Sequence, residues 1–334
     1  MGRRHIVASA IVVGMGWACG STAGDSTFPP ASAVDDGGGG GVGTGGGFVT
    51  DGAGPTTESG QGDVPMYAEL WYCVDQLLVR ITLGEADGAV ANIAASTITT
   101  PLDVGQSAIT MLKDGSLLVS RLSQSDDQSH LFHVPKPPRD GSSVTPNVTP
   151  VSLGVMPGGI MLEGLYTDCE GRVYGMDTGA DDSSSTGNRL LRFTGDVTAG
   201  DFTFVVVSEL GTADVADIDD MSPGIANNQV TDNPGLAIDT GAIHAFNYET
   251  GSGTQVASGG TFGIHALGGP LFRDGRSRLY VLKDNAELFQ VDPVTFAVSQ
   301  ALGKGPTPAQ GTAGWSSLAG PLTSCKTGFT AVPK

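Results

Sequence analysis

Basic residues are the scarcest part of this chain: 17 Lys and Arg stand against 35 Asp and Glu in 334 residues, for a formal net charge of -18, and none falls between Arg4 and Arg80. Nucleic-acid binding relies on neutralising phosphates with Lys and Arg, so a chain this acidic is excluded from that class, and the charge reads as solubility. Only 16% of residues are charged and 6% aromatic, while Gly numbers 51, a composition suited to many short strands joined by turns rather than to helices. There is no Gly-x-Ser-x-Gly elbow, no His-Glu-x-x-His helix and no phosphate-cradling Walker loop, which removes the commonest catalytic constellations. Cysteines number 4, and the three that follow Cys19 are an odd set that leaves one thiol free if two pair.

The N-terminus carries a different signal. Met1-Gly2-Arg3-Arg4-His5 is a basic start, and Ile6 to Ala18 is an uncharged apolar run of thirteen residues, right for an export signal and too short to span a bilayer. Ala18-Cys19 then sets a cysteine directly after a small residue. This resembles the bacterial lipoprotein signal, which implies a lipid on Cys19 and anchoring to the outer membrane of the cell envelope. Ordinary signal-peptide cleavage after Ala18, giving a secreted protein, stays open as the alternative. From 19 to 65 the chain is rich in Gly, Ser and Asp, with an unbroken run from Gly37 to Gly41, so it cannot bury enough apolar surface to offset its entropy. It reads as a disordered linker between a signal peptide at 1–18 and a folded body at 66–334.

Within that body one ribbon recurs. Pro270 to Val291 offers a short apolar strand at Pro270-Leu271-Phe272, an Asp274-Gly275 turn, a strand at Leu279 to Leu282, a turn at Lys283-Asp284-Asn285, and a strand at Leu288 to Val291. Met111 to Val119 and Leu165 to Tyr174 repeat the strand, acidic-Gly turn and strand, and Leu236 to Phe246 is a looser copy. Gln76 to Ile81 looks like a third strand without a full first strand before it, and Gly320 to Cys325 looks like a first strand. A two-stranded hairpin is marginal alone, and a ring whose last sheet combines both chain ends leaves its edges short and protected. The expectation is an all-β protein, a β-propeller of five to six blades of four antiparallel strands closed by N- and C-terminal strands. WD40 and Kelch signatures are absent.

Candidate functional residues are few. Asp214, Asp217, Asp219 and Asp220 form the densest acidic cluster and read as a solvated loop. His130 and His133 sit three apart on a strand, hence on opposite faces, and read as half-exposed strand histidines. Cys73 with Cys325 would staple the two termini inside the closing blade. Pro135 to Pro150, with five prolines, is a stiff excursion. Glu163-Gly164-Leu165-Tyr166-Thr167-Asp168, followed by Gly171 to Asp177, is similar to the opening motif of gluconolactonase and regucalcin-like propellers. That resemblance implies a lactone hydrolase in which Glu163 binds one divalent cation, such as calcium, at the ring's axis. Without it the chain calls for no cofactor. The leading expectation is a monomeric, non-enzymatic binding module, held to the membrane by its lipid and presenting loops to an extracytoplasmic protein or glycan.

Overall fold

The computed structural model describes residues 68–320 except 85, 101–106, 124–127, 140–146, 158, 169, 179–188, 210–217, 227–228, 240–241, 259–263, 269–277 and 309–316. Cys19, Cys169 and Cys325 therefore lie outside the described residues, with the signal peptide and the linker.

Apolar alternation makes the strands, and tight polar turns end them. The first blade has β1 (Glu69–Val74), β2 (Leu77–Leu83) and β3 (Val90–Ile98), with Asp75 in the left-handed region at φ 49° to turn β1 into β2. The second begins with β4 (Ser107–Met111), β5 (Leu117–Ser123) and β6 (Gln128–Val134). The chain then leaves it, lays β7 (Asn147–Val148) parallel to β3 on the first blade, and returns as β8 (Val151–Val155) to complete the second. The third blade is β9 (Leu162–Thr167), β10 (Val173–Asp177), β11 (Arg189–Asp196) and β12 (Asp201–Glu209). The fourth is β13 (Asp220–Ala226), β14 (Gln229–Asp239), β15 (Ala242–Asn247) and β16 (Ser252–Ser258). The fifth is β17 (Ile264–Gly268), β18 (Leu279–Lys283), β19 (Glu287–Val291) and β20 (Val298–Lys304). Five four-stranded sheets in a ring make a five-bladed β-propeller.

Closure happens where the two ends meet. The amide of Trp71 donates to the Ala319 carbonyl at 2.7 Å, and the Ala319 amide returns the bond to Trp71 at 2.8 Å, so the segment around Ala319 takes the innermost place in the first blade. The segment also ties down the hub. The Ser317 hydroxyl accepts from the Ile109 amide at 2.7 Å and donates to the Ile109 carbonyl, both on β4. The Leu318 amide donates to Asp220 Oδ2 at 3.0 Å, reaching the fourth blade. Between the second and third blades the innermost strands are joined by Thr110 and Thr167, hydroxyl to hydroxyl at 2.9 Å.

Cores lie in the seams between sheets rather than in one centre. Trp71, Cys73, Leu78 and Ile98 of the first blade pack on Ile109, Val119 and Phe132 of the second, all buried. Leu70, Tyr72, Val79 and Ile81 face Tyr280, Leu282 and Leu288 of the fifth.

One strand assignment made from sequence shifts. Leu236 to Ile238 is the second strand of its blade, not the first, pairing with both β13 and β15. An acidic-Gly turn serves any hairpin of a four-stranded meander, so the dipeptide does not say which one it closes. In the fifth blade the strand paired with β18 among the described residues is Ile264–Gly268, with Gly268 opposite Tyr280, and the triplet at Pro270 lies outside the described residues.

Candidate functional site: a groove between the second and third blades

In an antiparallel meander the first-to-second and third-to-fourth turns emerge at the same end of the blade. Three such turns from two neighbouring blades meet here, and an aspartate at the head of each folds it. Asp114 accepts the Ser116 amide at 3.0 Å and the Ser116 hydroxyl. Asp168, 1% exposed, accepts the amides of Glu170 at 3.0 Å and Arg172 at 2.8 Å and pairs with the Arg172 side chain. Asp196 accepts the Thr198 hydroxyl and the amides of Thr198 and Ala199, at 2.7, 3.0 and 3.1 Å. Those bonds, the hydroxyl's first, hold the Asp196 carboxyl below the usual range. Hydrogen bonds of this kind replace backbone ladders at turns and leave the loops rigid. Gly171 sits at φ +87° beneath the Lys113 stem, whose Cδ would lie 3.2 Å from an added Cβ.

These turns enclose an open groove of about 380 Å³ whose walls include Lys113, Asp114, Asp196 and Thr198 with the apolar Val173 and Val197. Both charge signs and an apolar floor face the same space. Beneath it lies a His–Ser–Asp contact that sequence inspection passed over. His133 Nε2 is 2.9 Å from Ser116 Oγ, and burial pushes the imidazole pKa down against the pull of Asp114 and Asp196. The arrangement does not make a nucleophile. The Ser116 proton goes to Asp114, so the hydroxyl accepts from His133 instead of donating to it, and Ser116 is only 1% exposed.

The residues singled out from sequence scatter. Glu163 lies in β9, where Gly164 pairs with Met176 and Leu162 with Asp177, so Glu163 is the extra residue of a bulge in an innermost strand. Among the described residues, no three His, Cys, Asp or Glu side chains come together at a spacing that holds a metal ion. The set present around Glu163 does not by itself fit the divalent cation that its motif implies.

Cys73 is fully buried in the first–second seam, and burial pushes its thiol pKa up. The Trp71–Ala319 register sets Ser317 alongside it, while Cys325 lies outside the described residues. Asp220 corrects the reading of its cluster as a solvated loop. It is fully buried and accepts the Met221 and Leu318 amides, because a carboxylate at the hub can satisfy two inner strands at once. Asp214 and Asp217 lie outside the described residues. His130 is half-buried, and His133 is more enclosed than expected, at 9% exposure.

No family model matches the chain, and no curated protein matches it. Among solved structures, a chain of a nidogen–laminin complex shares 9% identity over 75% of this chain and 97% of its own, with a TM-score of 0.44. A Lactobacillus plantarum protein shares 14% identity over 74% and 69%, with a TM-score of 0.32. The Dos1 propeller shares 10% identity over 72% and 57%, with a TM-score of 0.30. These are likenesses of architecture, and the five-bladed ring itself rests on the strand pairing described above.

Proposed function

We propose that the protein is an exported, monomeric β-propeller, anchored to the cell envelope through a lipid on Cys19, that acts as a non-enzymatic binding module for an extracytoplasmic protein or glycan. The observation that carries the binding role is the groove between the second and third blades. Its walls are preorganised by aspartate-headed turns, it offers hydrogen-bonding and apolar surface together, and the reactive pair beneath it is locked and buried. Preorganised loops on a rigid scaffold bind without an ordering cost.

Filling the groove with Lys113→Trp, at an exposed wall position, should abolish capture of envelope proteins or glycans by the full chain while leaving its melting temperature within a few degrees. Capture unchanged by that substitution would move the binding surface elsewhere. For the anchor, the wild-type chain should sediment with membranes and Cys19→Ser should not; equal fractionation of both would leave plain secretion.

The lactonase-like reading rests on the motif from Glu163 to Asp177. If calcium raised the melting temperature of the wild type by several degrees and not that of Glu163→Ala, the assignment would pass to it. No shift in either would leave the binding module.

A further inference from the structure

Arg121 is the largest charged side chain fully inside the protein, at 1% exposure, and its Nε, Nη1 and Nη2 all lack a hydrogen-bond partner among the described residues. A guanidinium cannot shed its proton to escape such a site, and an uncompensated buried charge is strongly destabilising. Three other arginines, Arg80 buried and Arg139 and Arg189 half-buried, have carboxylate partners. Arg80 and Arg139 both donate to Glu69, at 2.6 and 2.9 Å, and Arg189 pairs with Asp177.

The position of Arg121 explains what surrounds it. Strand alternation puts it on the face of β5 that carries Leu117 and Val119, which pack against Trp71 and Cys73 of the first blade. It pairs in register with Ser107 on one side and His130 on the other. Across the seam, Cys73 and Asp75 are the acidic groups near enough for their charge to be felt at the guanidinium, but neither is hydrogen-bonded to it. Asp75 is held in the β1–β2 turn at φ 49°. The site therefore has donors on every edge of a planar cation, one carboxylate held off, and almost no opening to solvent.

We propose that the end of the seam between the first and second blades is an internal anion site, in which Arg121 binds one monovalent anion of about chloride size. The charge count selects monovalent. Against the single positive charge of the guanidinium, to which Asp75 makes no hydrogen bond, one chloride is an equal counter-charge, whereas a sulfate or phosphate dianion would over-compensate it. Burial selects small, because Arg121 itself and Cys73 across the seam are both fully buried. The consequence is an ion that cements β5 to the β1–β2 turn in the seam beside the ring's closure by both ends of the chain.

The test is thermal unfolding of the full chain in sodium chloride against sodium gluconate at equal ionic strength. Wild type should gain roughly 5 °C between 1 and 200 mM chloride, saturably, and bromide should substitute. Arg121→Met, which removes the charge and keeps the bulk, should match the chloride-loaded wild type to within a few degrees and show no chloride dependence. If that variant fails to fold, chlorine-35 line broadening by the wild type, competed away by bromide, carries the decision. Equal melting in chloride and gluconate with no broadening would mean that water alone solvates Arg121 and would overturn the proposal, as would chloride dependence that survives Arg121→Met.

Discussion

Between the first and second blades, Glu69 sits with Arg80 and Arg139 over the ring of Trp71; between the third and fourth, Tyr166, Tyr174 and Phe246 gather around Tyr248. In the first seam the two guanidinium carbons lie 5.9 and 5.6 Å from the indole centroid, and Arg139 also reaches the Gly115 carbonyl of the second blade at 2.9 Å. In the other, ring centroids lie 4.5 Å apart for Tyr166–Tyr248, 5.6 Å for Tyr174–Tyr248 and 5.4 Å for Phe246–Tyr248. The difference follows from where the chain comes from. The third and fourth blades are consecutive meanders, so their seam assembles from neighbouring segments and needs only shape and apolar area. The first blade draws strands from both ends of the folded body, and its seam must also hold the ring shut. Directional, charge-assisted bonds add orientation to apolar contact there.

The comparison breaks most visibly at the two central side chains. Glu69→Ala leaves the buried Arg80 and the half-buried Arg139 without their shared acceptor and should cost about 3–5 kcal/mol in urea unfolding. In the aromatic seam, the Tyr248 hydroxyl lies 2.9 Å from the Ser222 carbonyl and 2.7 Å from that of Leu236. Tyr248→Phe keeps the stacked ring and removes only that hydroxyl, so it should cost about 1–2 kcal/mol. Equal losses at both sites would mean that the charged cluster contributes no more than an ordinary buried hydrogen bond.

The same contrast marks what could be read in the chain. Ribbons that are local in sequence were legible: the acidic-Gly turns at Asp114 and Glu170 announced the second and third blades, and the incomplete units near Gln76 and Gly320 announced closure. Blade number was not fixed, because loop insertions between the turns blur the period. Nor was β7 foreseen, since Asn147–Val148 pairs in parallel with a strand some fifty residues earlier, a contact that no local pattern encodes. The groove was illegible for a related reason. Asp114, Asp168 and Asp196 each look like a turn aspartate in isolation, and only the packing of adjacent blades brings Lys113, Val173 and Thr198 to one space. Arg121 gave no sign at all, because an arginine in a Leu-Val-Ser-Arg-Leu strand reads as an outward-facing residue until the neighbouring blade covers it.

The smallest effect tests the His133 contact beneath the groove. Burial lowers the His133 pKa, while Asp114 and Asp196 pull it upward, and burial prevails. A group whose folded pKa is depressed takes up its proton more readily in the unfolded chain. The stability it contributes is therefore complete above the unfolded value of about 6.5 and is lost as pH falls from there through the lowered folded value. Unfolding free energy should accordingly decline on acidification from about pH 7, before the carboxylates titrate. Asp196→Asn removes one of the opposing negative charges, so the decline should steepen. His133→Gln keeps a donor for Ser116 without a titrating ring, so the decline attributable to this site should vanish. If stability instead rose on acidification over that window, and did so only with His133 present, the two carboxylates would outweigh desolvation. A charged imidazolium would then lie beneath the groove, within the field of Asp114 and Asp196.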